Sequence, residues 1–176
     1  GGISPRRRSA SATPSGAMGL IPENELSLAA GVVLDGRSKG AVVDENHQTT
    51  VPGIFAAGNV LQVHDLVDFV SMEAESLADS VSNYLENGEL PECSIDVVTD
   101  GNVTHTIPQK ISGEADFKLS MRVRKPVKSC TIRLSQNGKT VLEKKMKKAI
   151  PAEMIQLPVK AEKLEKNGNL EVSVVW

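Results

Sequence analysis

At Asn87-Gly88, closed off by Pro91, the chain changes its period, and that change splits it into two kinds of structure. Before it, Leu66, Val70, Ala74, Leu77, Val81 and Leu85 recur at spacings of three and four, with Glu73, Glu75, Asp79 and Glu86 mostly off the stripe. This predicts an amphipathic helix over residues 66–85. Asp65 stands where an N-cap belongs, and Asp68 follows in the first turn near the positive helix end. Asn87-Gly88 supplies a left-handed stop that Pro91 makes final. After it the pattern has period two. Strands are expected at residues 94–98, 102–107, 115–123, 131–135, 139–144, 154–159 and 170–175, with Phe117, Leu119, Met121 and Val123 alternating with polar neighbours. Asp100-Gly101 and Asn137-Gly138 read as two-residue hairpin turns. Seven short strands in residues 92–176 predict an antiparallel β-sandwich. No Trp lies between bridged cysteines, so a true immunoglobulin domain is not indicated.

Charge marks the same border. The net charge of −2 over 176 residues is a sum of unlike parts. Residues 1–19 carry three Arg and no acid; residues 20–91 carry twelve acids against Arg37 and Lys39; residues 92–176 carry fifteen bases against ten acids. The length allows one domain or two small ones, and with aromatics at 3% the core must be aliphatic. No apolar run approaches the roughly 18 residues of a membrane-spanning helix. Two cysteines, Cys93 and Cys130, are too few for a disulfide scaffold and fit a reducing, cytoplasmic setting. Residues 1–17, with Arg6-Arg-Arg8 among Ser, Thr, Pro and Gly, have one large apolar side chain, Ile3. They are expected to be a disordered tail or a remnant foreign to the fold.

Between tail and helix, Gly31-Val-Val-Leu34 and Gly40-Ala-Val-Val43 read as two short strands around Asp35-Gly36. Ile54-Phe-Ala-Ala57 reads as a strand buried on both faces of a parallel sheet, ending at Gly58-Asn59. A strand end, a loop and a helix N-terminus form a crevice where a ligand can meet backbone amides. The Asn59 side chain adds one acceptor and two donors for hydroxyl groups. The plainer alternative is a satisfied βα turn with no ligand.

Thr50-Val-Pro-Gly-Ile-Phe-Ala-Ala-Gly-Asn59 closely resembles the second flavin-binding motif of the FAD-dependent pyridine nucleotide-disulfide oxidoreductases, which usually reads Thr-x-x-Pro-Gly-Ile-Phe-Ala-Ala-Gly-Asp. Gly19-Leu-Ile-Pro-Glu-Asn24 resembles that family's crossover from the nucleotide-binding insert, and residues 26–44 fit the strands that follow. The resemblance implies that residues 18–91 are the second half of a Rossmann-like FAD-binding domain, with residues 92–176 an appended β-sandwich. It implies cofactor contacts from Gly58 and Asn59, with Asn59 replacing the Asp that bonds the ribityl chain. It places Val67 and Asp68, at the helix N-terminus, nearest the flavin pyrimidine. Hydride transfer between nicotinamide and flavin is the implied reaction, with FAD as cofactor and NAD(P)H as co-substrate.

None of the fourteen glycines forms a Gly-x-Gly-x-x-Gly turn, so the chain is expected to be a carboxyl-terminal portion of such an enzyme that alone binds FAD weakly or not at all. No catalytic residue is assigned. Cys93 and Cys130 lie 37 residues apart and read as packing residues. His47, His64, Asp65 and Asp68 do not assemble a convincing metal set, and no metal is expected. The Lys144-Lys-Met-Lys-Lys148 run lacks interleaved aromatics, so it reads as a solvated strand face and not as a nucleic-acid site. The basic sandwich is a candidate to dock on an acidic surface of its own or a neighbouring subunit. The rival function is a non-catalytic β-sandwich interaction module preceded by a degenerate α/β remnant.

Overall fold

Alternating burial from Ile95 onward builds eight strands, which form two sheets that share one buried cluster. The computed structural model of the chain describes residues 23–176, and the tail expected over residues 1–17 lies outside them, as does most of the expected crossover at 19–24. The strands are β1 (Ile95–Thr99), β2 (Val103–Ile107), β3 (Lys110–Ile111), β4 (Phe117–Val123), β5 (Val127–Gln136), β6 (Lys139–Ala149), β7 (Ile155–Val159) and β8 (Leu170–Val175). One sheet has the order β3-β1-β8-β5-β6 and the other β2-β4-β7. The chain is thus a mixed α/β fold, mostly sheet. Eighteen buried side chains fill the space between the sheets, among them Leu119, Met121, Ile132, Leu134, Leu157 and Leu170, all inaccessible to solvent.

Three details depart from the sequence expectation. Asp100-Gly101 is not a hairpin turn, because β1 and β2 belong to different sheets. The Asp100 carboxylate accepts from the amides of Asn102 at 2.8 Å, Val103 at 3.2 Å and Val174 at 3.1 Å, which turns the chain from one sheet into the other. The sheets are not purely antiparallel, since β1 runs parallel to β8 with Val97 opposite Leu170. β5 and β6 are longer than their apolar patterns. Lys128 pairs with Lys148 and Cys130 with Met146, so backbone pairing continues along an edge whose lysines need no burial. Asn137-Gly138 does form the expected hairpin, with φ positive at both residues.

The acidic segment contains α1 (Glu25–Ala29) and α2 (Val67–Asn87). Gly88 ends α2 in the left-handed region with φ of 78°, its amide bonding Tyr84 O at 2.8 Å, as Asn87-Gly88 forecast. Asp65 does not cap the helix; Leu66 occupies the N-cap and offers no side-chain bond. Residues 33–42 form a hairpin with one bridge, Leu34 to Ala41. Ile54-Phe-Ala-Ala57 is not a strand of a parallel sheet. Phe55 bridges antiparallel to Gln48, and Thr49 N–H to Ile54 O at 2.8 Å closes a tight hairpin. Among the described residues no parallel α/β sheet forms within this segment; its short apolar runs pair antiparallel in tight hairpins instead. Its buried cluster is only Val32, Ala41, Val43, Ala56, Leu61 and Ile107, the last contributed by β2.

Candidate functional site at the Gly58 turn

Gly58 adopts φ of 73° and starts a short 3-10 turn, Gly58–Val60, that carries the chain out of the 47–56 hairpin. Only glycine enters that conformation without strain. The Gly58 amide donates to Glu73 Oε2 at 2.5 Å, reaching from the second turn of α2. His64 Nε2 lies 3.0 Å from the same oxygen, and Gln62 Nε2 donates to Glu73 Oε1 at 3.5 Å. The Glu73 carboxylate therefore gathers turn, loop and helix at one point. His64 sits in the loop before α2, its side chain 4% exposed. Among the described residues, no group of three or more His, Cys, Asp or Glu side chains is placed to hold a metal ion.

The four residues singled out by motif take two positions. Gly58 is the half-buried hinge of the turn, and Asn59 beside it is exposed, with Oδ1 3.5 Å from the His64 amide. Val67 and Asp68 form the exposed first turn of α2, Val67 at 79% exposure. No side chain caps that turn, so the positive helix end there lacks a side-chain acceptor. The inner face of α2 packs on the hairpin, where Phe55 and Tyr84 meet edge to face at 5.8 Å and 72°. Leu66, Val67, Met72 and Leu85 stay exposed. The sequence stripe thus faces two ways, and the helix covers little.

Sequence reasoning missed the residues that hold this loop in place. Asp65 Oδ1 pairs with Arg122 Nη2 at 2.6 Å, and Asp65 Oδ2 accepts the Met154 amide at 2.6 Å. The same Arg122 also donates to Val63 O at 2.7 Å and Pro151 O at 3.2 Å. Arg122 occupies the polar phase of β4, which an alternating pattern assigns to solvent. Here the 61–66 loop covers that face, and the Arg122 side chain is only 13% exposed. The acidic segment thus contacts the β segment within one chain, through Arg122 and also through Val43–Gln109, Glu45–Ser112 and Arg37–Thr99 hydrogen bonds, and among the described residues none of these bonds comes from the Lys144–Lys148 run. Asp65→Ala strips the guanidinium of its partner and leaves the Met154 N–H unpaired, so about 2 kcal/mol of stability should be lost. Asp65→Asn, which keeps the acceptor for Met154, should recover part of it in urea titrations.

Titration behaviour follows burial. His105, on β2 beside Arg122, has both ring nitrogens buried without a partner among the described residues. Burial first, then the Arg122 cation, lowers its pKa, with Asp35 opposing. Burial likewise lowers His47, opposed by the Glu73 charge. A folded-state pKa below the unfolded value of about 6.5 gives stability that is present above that pH and lost as pH falls through the lowered value. Asp44 and Glu45 act oppositely. Burial raises their carboxyls, so the fold favours their protonated forms and loses that contribution as pH rises through the raised values. Comparison with a variant isolates one group: His105→Gln should flatten the acid loss by up to about 1.4 kcal/mol per pH unit, read from urea midpoints between about pH 7.5 and 5.5. Cys93 and Cys130 are free thiols. Burial and the Asp44 and Glu45 charges push Cys93 up to about 12, so it holds almost no thiolate at neutral pH.

No protein-family model, curated protein or solved structure matches this chain. Function is therefore read from its residues and geometry. Among the described residues, no helix is long and apolar enough to cross a membrane.

Proposed function

We propose that the chain is the carboxyl-terminal portion of a cytoplasmic, FAD-dependent, NAD(P)H-linked oxidoreductase. In this reading residues 18–91 are the second half of a Rossmann-like flavin domain, and residues 92–176 are a β-sandwich that braces it. The observation that carries the reading is the motif Thr50-Val-Pro-Gly-Ile-Phe-Ala-Ala-Gly-Asn59, whose Gly58 has positive φ and which leads through a short turn to a helix N-terminus with no side-chain cap.

The residues present fit such a cofactor. Asn59 is exposed, the Gly58 position is open except for Val70 Cγ1 at 4.0 Å, and the amides of the exposed Val67 and Asp68, which no side chain caps, suit a carbonyl that gains electron density. When bound, FAD supplies the two-electron chemistry. In this chain Asn59 offers its amide to hydroxyl groups, the α2 N-terminus favours negative charge at its end, and Glu73 fixes the turn that sets both. The exposed Leu66, Val67, Met72 and Leu85 suit a helix that meets further protein in the intact domain. The intact parent should purify yellow and release flavin on denaturation in about a one-to-one ratio. A colourless parent that releases none would falsify the assignment.

A second reading, a β-sandwich interaction module with an α/β remnant, draws on the unequal cores: eighteen buried side chains in the sandwich cluster against six in the other. A colourless parent would favour it.

A further inference from the structure

A concave site adjoins the Gly58 turn, sharing Glu73 and His64 with it, and extends between the first turns of α2, the 44–47 loop and the β4–β7 sheet. It is a cavity of about 340 Å³, enough for a ligand of roughly ten heavy atoms. Its apolar side includes Phe69, Met72 and Phe117, so two of the three phenylalanines in this aromatic-poor chain line one cavity. The polar side carries Asp44, Glu45 and Glu73 with His47 and His64.

The hydrogen-bonding state of that side defines what it lacks. Glu45 Oε1 accepts from Ser112 Oγ at 2.5 Å, whereas Glu45 Oε2 is buried with no partner among the described residues. His64 places Nε2 on the Glu73 carboxylate, and its Nδ1 is buried with no partner among the described residues. The Nδ1 of His47 is buried and unpartnered too, and burial keeps that ring neutral. Glu45 Oε2 on this wall thus lacks a donor, and two buried ring nitrogens beside it lack any partner. Negative charge dominates as well, since Lys160 on the far rim is taken by Asp116 at 2.6 Å, which leaves Lys118 as the one lining cation without a bonded carboxylate among the described residues. An anion would face three carboxylates; a cation would meet them with its N–H groups and lay its apolar part on the rings.

We infer that this cavity is a binding site for a small organic ammonium, with its charged donors on the Glu45 and His64 wall and an apolar body against Phe69, Met72 and Phe117. The raised carboxyls of Asp44 and Glu45 agree, because a bound cation offsets the burial of their charge.

Three phenyl probes of similar size test it on the full chain by calorimetry and ligand-observed NMR: benzylamine, benzoate and benzyl alcohol. Benzylamine should saturate with a Kd on the order of 1 mM, benzyl alcohol should bind more weakly, and benzoate should not saturate. Glu45→Gln should weaken benzylamine about tenfold with the circular dichroism spectrum unchanged. Met72→Trp, at a half-exposed helix position that tolerates bulk, should block the cavity and abolish saturation. Lys118→Gln should leave benzylamine affinity unchanged or raise it. Benzoate binding as tightly as benzylamine overturns the inference, as does failure of benzylamine to saturate, or an affinity indifferent to both Glu45→Gln and Met72→Trp. None of these readouts involves flavin, so the oxidoreductase reading and this site stand or fall separately.

Discussion

Gly40→Ala should detach the acidic segment from its own fold, at a cost of at least about 3 kcal/mol. A Cβ built on Gly40 meets the carbonyl oxygen of Leu61 at 1.8 Å, its carbon at 2.6 Å and its Cα at 2.9 Å. All three are backbone atoms, so no rotamer change relieves the clash; one strand of the 33–42 hairpin must move away from the Gly58 turn. That movement breaks more than one contact. Asn24 Nδ2 bridges the same two pieces, donating to Lys39 O at 3.2 Å and Val60 O at 2.8 Å. Leu61 and Ala41 on either side are inaccessible to solvent and belong to a cluster of only six buried residues. A cluster that small cannot repack around a displacement of more than an ångström. The sandwich, with its own core, should stay folded, so limited proteolysis should cut between residues 23 and 91 while residues 92–176 resist. Gly36→Ala is the control: nothing lies within 4 Å of its Cβ and its φ is ordinary, so stability should change by no more than about 0.5 kcal/mol. Equal melting temperatures for Gly40→Ala and the unaltered chain would contradict the close approach.

The need for glycine at position 40 was invisible in the sequence, where Gly40 reads as the start of a short strand. Its partner Leu61 lies 21 residues on, and nothing local announces a backbone contact across that distance. The features that were legible are those set by local chemistry. The helix and its Asn87-Gly88 stop follow from periodicity and left-handed preference, and the Asn137-Gly138 turn follows from the same preference. Five of the eight strands lie close to their alternating runs, whereas β5 and β6 outrun their apolar patterns and β3, two residues long, left no pattern to read. Misreadings came where a side chain had two uses. Asp65 has cap chemistry, yet an ion pair with Arg122 in a covered site outweighs one capping bond on a free helix end. Asp100-Gly101 has turn chemistry, but a turn does not say which sheet the next strand enters. At the Gly58 turn the motif located Gly58, Asn59, Val67 and Asp68, while Glu73, which fixes that turn, read only as an acid off the helix stripe.

The second large effect concerns a glutamine that reads as an ordinary strand end. Gln136 is 1% exposed at the end of β5, and its side chain replaces a sheet edge for the 164–168 loop. Nε2 donates to Glu165 O at 2.9 Å, Asn167 O at 3.1 Å and Gly168 O at 2.9 Å, while Oε1 accepts the Glu165 amide at 2.9 Å. Two hydrogens shared among three carbonyls, plus one acceptor, pin the chain just before it enters β8. Gln136→Leu keeps the volume and removes every bond, leaving one amide and three carbonyls to find water or stay unpaired. The loss should be about 3 kcal/mol, lower than four separate bonds because residues 167 and 168 are exposed and their carbonyls rehydrate. Gln136→Glu discriminates the cause. It is isosteric, but when ionised it presents a negative oxygen to three carbonyl oxygens and donates nothing, so it should be worse than Leu at neutral pH. Its folded pKa is then raised above the ordinary glutamate value near 4.3, and stability should return as pH falls and the carboxyl regains a donor. A Glu variant as stable as the unaltered chain at neutral pH would mean that packing, not hydrogen bonding, holds the loop. A Leu variant that loses stability and a Glu variant that regains it in acid would assign the anchor to the amide donors, and so place the entry to β8 under the control of one buried side chain.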